Sequence, residues 1–314
     1  MISFGPVPSR RLGKSLGINN IVAPKVCSYG CVYCQVGATV KKSIKRESFF
    51  QPQFIYEKVI RHIQQISKDN YPDYLTFVSN GEPALDVNLG KTISLLKKTG
   101  IPIAVITNAS LLDHESVRDD LYMADWVSLK MDAADNDTWQ AVNRPHPCLN
   151  FESIMKNINL FKDGYKGILC TETMLIDELN DSAENVSALS VLIKEINPSK
   201  AFLSIPTRPP SDKSIKIPDA EKINLAWHIF DRMHITAELL TGFEGTDVGF
   251  TGNIYEDILN ITAVHPLRED TLLKLLQNDK ADFQVVEDLI KQRLIRSTNY
   301  DGYKYYMREF HIHI

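Results

Sequence analysis

The chain has 314 residues, 44% of them hydrophobic and 24% charged, with a formal net charge of −4 and 5 cysteines. That length suits one large domain, or a medium domain with a small one, around a sizeable core. The charge excludes a nucleic-acid binder relying on bulk positive charge, no apolar run of about 18 residues reads as a membrane span, and a leader-free start with few cysteines fits a reducing cytoplasm.

Residues 1–46 carry Arg10, Arg11, Lys14, Lys25, Lys41, Lys42, Lys45 and Arg46, with no Asp or Glu. Such a stretch is either a solvated face that balances acidic helices or the rim of a mouth for an anionic substrate, such as a phosphate or an RNA backbone. A first strand is expected at 15–22. It leads into Cys27-Ser-Tyr-Gly-Cys31-Val-Tyr33-Cys34, a C-x3-C-x2-C spacing. Three thiolates on one short loop hold three irons of a cubane cluster and leave the fourth open. Structural zinc competes as a reading, but it takes four closed ligands, usually as two pairs. The remaining cysteines, Cys148 and Cys170, are far away in sequence.

Further strands are expected at 74–79, 101–107, 126–130, 167–175, 201–205 and 235–240. Helices are expected at 56–67, 88–98, 114–123, 153–162, 183–196 and 220–233. Strand–helix alternation implies parallel pairing. Six or seven such units suit an open or partial (β/α) barrel, with ligands at the C-terminal strand ends. Those ends carry the polar groups. Asn80-Gly81-Glu82 offers a backbone approach and a carboxylate. Lys130 and Asp132 read as a buried ion pair, a proton donor or an edge salt bridge. Arg144 or Arg208 suits a bidentate anion clamp. Cys148 is a candidate hydrogen-atom donor or inert packing, and Cys170 reads as core. Glu172 lies within a strand, and His265, His311 and His313 show no metal-ligand partners.

The tail changes character. Helices at 255–261, 269–276 and 283–293 precede a hairpin around Asp301-Gly302, a winged-helix-like pattern. From Val264 onward eight Lys/Arg meet eight Asp/Glu, which suits a docking unit better than a DNA reader. The expected division is a catalytic domain at 1–252 and a winged-helix-like module at 253–314.

The cysteine loop resembles that of the radical S-adenosylmethionine (radical SAM) enzymes, with Tyr33 as the aromatic before the third cysteine. The lead-in at 6–19 is similar to that of the wyosine-synthetase-like iron–sulfur oxidoreductases, and the superfamily resemblance spans roughly residues 6–240. It implies a partial (β/α)6 TIM-like barrel with a 4Fe-4S cluster on Cys27, Cys31 and Cys34. It also implies S-adenosylmethionine contacts from Tyr33, Asn80, Gly81, Glu82, Asn108 and Ser128, with Glu82 on the methionine ammonium. Asn80 stands where a glycine is usual. The implied chemistry is reductive cleavage to a 5′-deoxyadenosyl radical that abstracts hydrogen, with flavodoxin or ferredoxin as electron donor. The chain lacks the second cysteine triad expected of wyosine-forming enzymes. The substrate is not legible, with tRNA and a partner protein both open. An enzyme that activates a partner protein and a redox-sensing DNA-binding regulator are the alternatives.

Overall fold

The computed structural model describes residues 2–246 and 248–309. Its elements run β1 (Ser3–Ser9), β2 (Gly13–Ile18), β3 (Val26–Cys27), β4 (Lys41–Lys42), α1 (Pro52–Gln65), β5 (Tyr74–Phe77), α2 (Leu89–Leu96), β6 (Ile103–Thr107), α3 (Glu115–Tyr122), β7 (Trp126–Lys130), α4 (Asn136–Asn143) and α5 (Phe151–Gly164). They continue with β8 (Ile168–Met174), α6 (Ala183–Ile196), β9 (Lys200–Ser204), α7 (Ala220–Arg232), β10 (Ala237–Leu240), α8 (Ile254–Thr262), β11 (Leu267–Arg268), α9 (Glu269–Asn278), α10 (Gln284–Lys291), β12 (Ile295–Tyr300) and β13 (Tyr303–Arg308).

Eight strands form one sheet in the order β1-β2-β5-β6-β7-β8-β9-β10. From β2 to β10 every pairing is parallel. The sheet curls into a half-barrel with helices outside, the partial TIM-like fold that the strand–helix alternation implies. Apolar residues of α1, α2, α5 and α6 (Ile55, Ile93, Phe161 and Ile193 among them) pack against the outer faces of the strands in the main core. Inside, Trp126, Cys170 and Phe202 close the barrel with Leu12, so Cys170 is core as expected. No helix of the described residues is long and apolar enough to cross a membrane.

Besides the two-residue strands β3, β4 and β11, two longer elements escape the sequence reading. β1 pairs antiparallel with β2 at the sheet edge. Pro6 and Pro8 make it read as a non-strand, yet proline is tolerated where a strand has only one partner. α4 is a short helix rich in Asn, Asp and Thr, started by the Asp135 side chain accepting from Thr138 N. Turn-forming residues masked it. The expected first strand also ends early, at Ile18. Beyond it Asn20 leaves the sheet, donating to the Pro83 carbonyl (3.1 Å) and accepting from Ser79 Oγ.

The tail forms three helices and a three-stranded sheet, β11-β13-β12, in a winged-helix arrangement. Its core takes in Phe4 and Val7 of β1 beside Ile258, Ile261 and Leu272. Tyr300 Oη donates to the Pro206 carbonyl (2.9 Å), Tyr305 Oη to that of Thr207 (2.9 Å), and Gly249 N to that of Pro6 (2.6 Å). The module therefore spans the open side of the half-barrel, and the N-terminal segment serves both cores, Ile2 in the main one and Phe4 and Val7 of β1 in that of the module.

Candidate functional site

Between β2 and α1 the chain makes the cysteine loop, held in place by backbone contacts. Val26 forms a bridge to Gly81, and Glu82 N donates to the Val26 carbonyl (3.2 Å). Gly81 has φ +148°, and a Cβ there would sit 1.7 Å from the Val26 oxygen. Only glycine allows the strand-end turn to approach the loop this closely. On the other flank Gly30 N donates to the Asn143 carbonyl (2.9 Å), and His146 N to that of Ser28 (2.8 Å).

Cys27, Cys31, Tyr33 and Cys34 all line one cavity of about 290 Å³ at the C-terminal strand ends. Each thiol has a donor beside it. Lys25 Nζ is 3.0 Å from Cys34 Sγ, Asn143 Nδ2 is 3.4 Å from Cys31 Sγ, and Asn108 Nδ2 is 3.7 Å from Cys27 Sγ. Burial pushes the Cys27 thiol up to about 12 and the Cys31 thiol up to about 11. Burial raises Cys34 too, but Lys25 outweighs it and the thiol ends below its ordinary value. Among the described residues no three His, Cys, Asp or Glu side chains converge on a single-ion site. Three sulfurs on one wall, each with a donor and with an open cavity before them, suit a cubane with one open iron better than a closed zinc centre.

The other expected site residues divide into two groups. Gly81, Glu82 and Asn108 line the cavity. The Glu82 carboxylate is buried and accepts from Thr107 Oγ1 (2.7 Å), Ala84 N (3.0 Å) and Asn108 N (2.8 Å), which ties two strand ends together. Burial raises its pKa, against those hydrogen bonds. Asn80 and Ser128 are buried behind the lining, and both Asn80 Oδ1 and Ser128 Oγ lack a hydrogen-bond partner among the described residues.

Lys130 and Asp132 do not pair with each other. Lys130 stands opposite Glu172 in the β7–β8 register, and its Nζ lies 3.0 Å from Glu172 Oε1. Asp132, two residues on, has left the strand. It accepts from Tyr33 Oη (2.5 Å), Asn143 Nδ2 (2.7 Å) and Met174 N (2.8 Å), so it fixes the aromatic of the cysteine loop. Cys148 is exposed and outside the cavity, turned to solvent beyond Pro145 where the loop pairs with Tyr29. Arg144 is also outside, paired with Asp212 (2.7 Å). His311 and His313 lie outside the described residues.

Sequence reasoning did not foresee two ionic groups. Glu172 Oε1 accepts from Arg11 Nη2 (2.7 Å) as well as from Lys130. Burial opposes ionisation of Glu172, but Arg11 and Lys130 hold it down at about 2. The second group joins the barrel to the module. Arg208 binds Glu244, sits 3.1 Å from Gln35 Oε1 and touches His265 Nε2 (3.1 Å), while Arg10 Nη2 is 3.6 Å from Glu244. Alternation on β8 could have pointed to Glu172, since it shares a face with Cys170 in the barrel interior. The β1–β2 turn that delivers Arg10 and Arg11 had no such signal.

The basic stretch does not form one rim. Arg10, Arg11 and Lys25 line the cavity, whereas Lys41, Lys42, Lys45 and Arg46 do not. Lys41 pairs with Glu47, Lys42 donates to the Arg144 carbonyl, and Arg46 binds Asp120.

A parallel half-barrel with a three-cysteine loop at its C-terminal rim defines a class, and the comparisons agree. Residues 21–189 match the family model described as the radical SAM superfamily. The chain belongs to the radical SAM superfamily and is a radical SAM enzyme. It is 44% identical over 309 residues to a UPF0026 protein of Methanocaldococcus jannaschii, covering 98% of this chain and 96% of that protein. Solved structures share the fold at low identity. Streptococcus suis SuiB bound to its precursor peptide SuiA has a TM-score of 0.55 at 14% identity, covering 73% of this chain and 49% of that one. A radical SAM methyltransferase from Sphaerobacter thermophilus has a TM-score of 0.52 at 15% identity, covering 72% and 66%. The chain thus spans about half the length of SuiB and about two thirds of the methyltransferase.

Proposed function

We propose that Cys27, Cys31 and Cys34 hold a 4Fe-4S cluster and that S-adenosylmethionine binds beside it along the strand ends at Gly81, Glu82 and Asn108. The observation that carries this reading is the common cavity shared by the three cysteines and those strand-end residues. When bound, a reduced cluster supplies the electron that cleaves S-adenosylmethionine to a 5′-deoxyadenosyl radical, which abstracts hydrogen from the substrate.

The chain's own residues do the remaining work. Lys25, Asn108 and Asn143 present N–H groups to the three sulfurs. Such donors stabilise added negative charge on a metal–thiolate group. Gly81 lets the binding turn reach the loop. Glu82 offers a buried carboxylate for the ammonium of the cofactor while keeping β5 and β6 aligned. Asp132 orients Tyr33, and the Lys130 ammonium lies 5.1 Å from the centre of that ring. The C-terminal module contributes Val264 and His265 to the cavity lining.

The test is anaerobic reconstitution followed by dithionite and S-adenosylmethionine. About four irons per chain and release of 5′-deoxyadenosine are expected. Iron binding that survives simultaneous Cys27→Ala, Cys31→Ala and Cys34→Ala substitution, or stoichiometric zinc in oxygen-free preparations, would overturn the reading.

A further inference from the structure

The cavity that holds the cysteines is unbalanced in charge at its deep end. Lys25 is committed to Cys34, and Glu82 to the strand ends. Four cations then remain on the lining, Arg10, Arg11, Lys130 and Arg208, against two carboxylates, Glu172 and Glu244. S-adenosylmethionine brings a sulfonium and so does not redress this excess. Nor do the arginines use all their donors. Arg10 Nε and Nη1 and Arg11 Nε are buried without a hydrogen-bond partner among the described residues. A buried guanidinium donor without an acceptor is costly. Burial lowers the Arg10 pKa more than Glu244 restores it, so the protein alone does not compensate this charge.

The placement is also specific. Arg10 and Arg11 follow one another on the β1–β2 turn, which reaches in through the open side of the half-barrel. Arg11 is braced by Glu172 and lies 5.9 Å from the centre of the Phe202 ring. Arg10 is held more loosely, at 3.6 Å from Glu244. A second cavity of about 220 Å³, between barrel and module, shares Pro8, Thr207, Arg208, Glu244 and His265 with the first. Arg208, bonded to Glu244 and His265, stands at the boundary between the two cavities.

We propose that Arg10 and Arg11 form an oxyanion subsite, so that the substrate entering this cavity presents a carboxylate or phosphate group to their unpartnered N–H donors. Guanidinium forks match both groups in geometry. The inference rests on the reading of this cavity as the radical site and names the chemistry of the group that it receives. Arg10 supplies the free donors, Arg11 anchors the turn, and Glu244 competes with the incoming anion for Arg10.

The test is calorimetry on cluster-loaded, unreduced enzyme saturated with S-adenosylmethionine, so that the cofactor's own carboxylate is already bound. Inorganic phosphate and succinate are titrated separately against chloride at matched ionic strength. Binding of phosphate alone identifies a phosphate-bearing substrate, and binding of succinate alone a carboxylate-bearing one. Arg10→Gln should weaken the bound anion about tenfold to 100-fold, the loss of one charged hydrogen bond. Glu244→Gln should tighten it, which keeps the proposal testable if the Arg10 variant folds poorly. Equal affinity in wild type and both variants, or no binding beyond the chloride control, overturns the subsite. Iron content and S-adenosylmethionine affinity are read on the same samples, so failure of the cluster reading shows separately.

Discussion

Lys25 Nζ lies 3.0 Å from Cys34 Sγ and 2.8 Å from the Gly37 carbonyl, with the side chain buried under the cysteine loop. Of the three thiols, Cys34 is the only one held below its ordinary pKa, because the ammonium outweighs burial. A cation hydrogen-bonded to a cluster ligand stabilises the more negative, reduced state. Lys25→Met should therefore lower the reduction potential by tens of millivolts, at ~59 mV per tenfold for one electron, with iron content retained. In the cluster-free protein, Cys34 should be alkylated before Cys27 and Cys31, and Lys25→Met should erase that order. Redox titration and mass-spectrometric mapping read the two effects, and an unchanged potential would remove Lys25 from cluster tuning.

Gly81→Ala should disable cluster loading. Its Cβ would overlap the Val26 oxygen, so either the strand-end turn or the cysteine loop must move. The expected outcome is iron content well below that of wild type after reconstitution, in a protein whose far-ultraviolet circular dichroism is unchanged. Normal iron loading would show that the loop tolerates the shift.

Glu82 has two roles that substitutions can separate. Glu82→Ala strands the donors of Thr107, Ala84 and Asn108, and each buried orphan costs about 1–3 kcal/mol, so the melting temperature should fall. Glu82→Gln keeps much of that bonding and removes the charge. It should weaken S-adenosylmethionine roughly tenfold to 100-fold with a smaller loss of stability. Unchanged cofactor affinity in the Gln variant would confine Glu82 to the structural role.

Glu172 gives stability a pH signature. Its pKa in the fold is about 2, below the ordinary carboxylate value, because Arg11 and Lys130 outweigh burial. A depressed carboxylate contributes stability fully above its unfolded pKa, and that contribution is lost as pH falls towards the folded value. Glu172→Gln leaves two buried cations without their carboxylate, a loss of about 3–5 kcal/mol at neutral pH. Urea unfolding at stepped pH should show the gap between wild type and variant narrowing below about pH 4.5. A gap independent of pH would mean that the carboxylate charge does not matter there.

Deletion of residues 253–314 should leave a chain that is poorly soluble or strongly destabilised, because Phe4 and Val7 lose the apolar residues that cover them. A soluble truncation with an unchanged melting temperature would show that the two cores are independent after all.

The local signals carried by the chain established much of this molecule. The C-x3-C-x2-C spacing picked out Cys27, Cys31 and Cys34, which the fold gathers on one cavity, because a single short loop carries all three. Alternating apolar runs placed the seven parallel strands within a few residues, because each strand buries its own pattern. The winged pattern of the tail was readable for the same reason. Contacts between distant segments had no such signature. The partners of Lys130 and Asp132 follow from strand register and from where β7 ends, which put Glu172 rather than Asp132 beside the ammonium. Cys148 lies two residues from His146, yet only the docking of that loop decided that its thiol faces solvent. The reach of Arg10 and Arg11 into the barrel depends on an edge strand that prolines disguised and on a C-terminal module folded across the gap. Those positions are set by which surfaces bury one another, and a one-dimensional pattern does not record that.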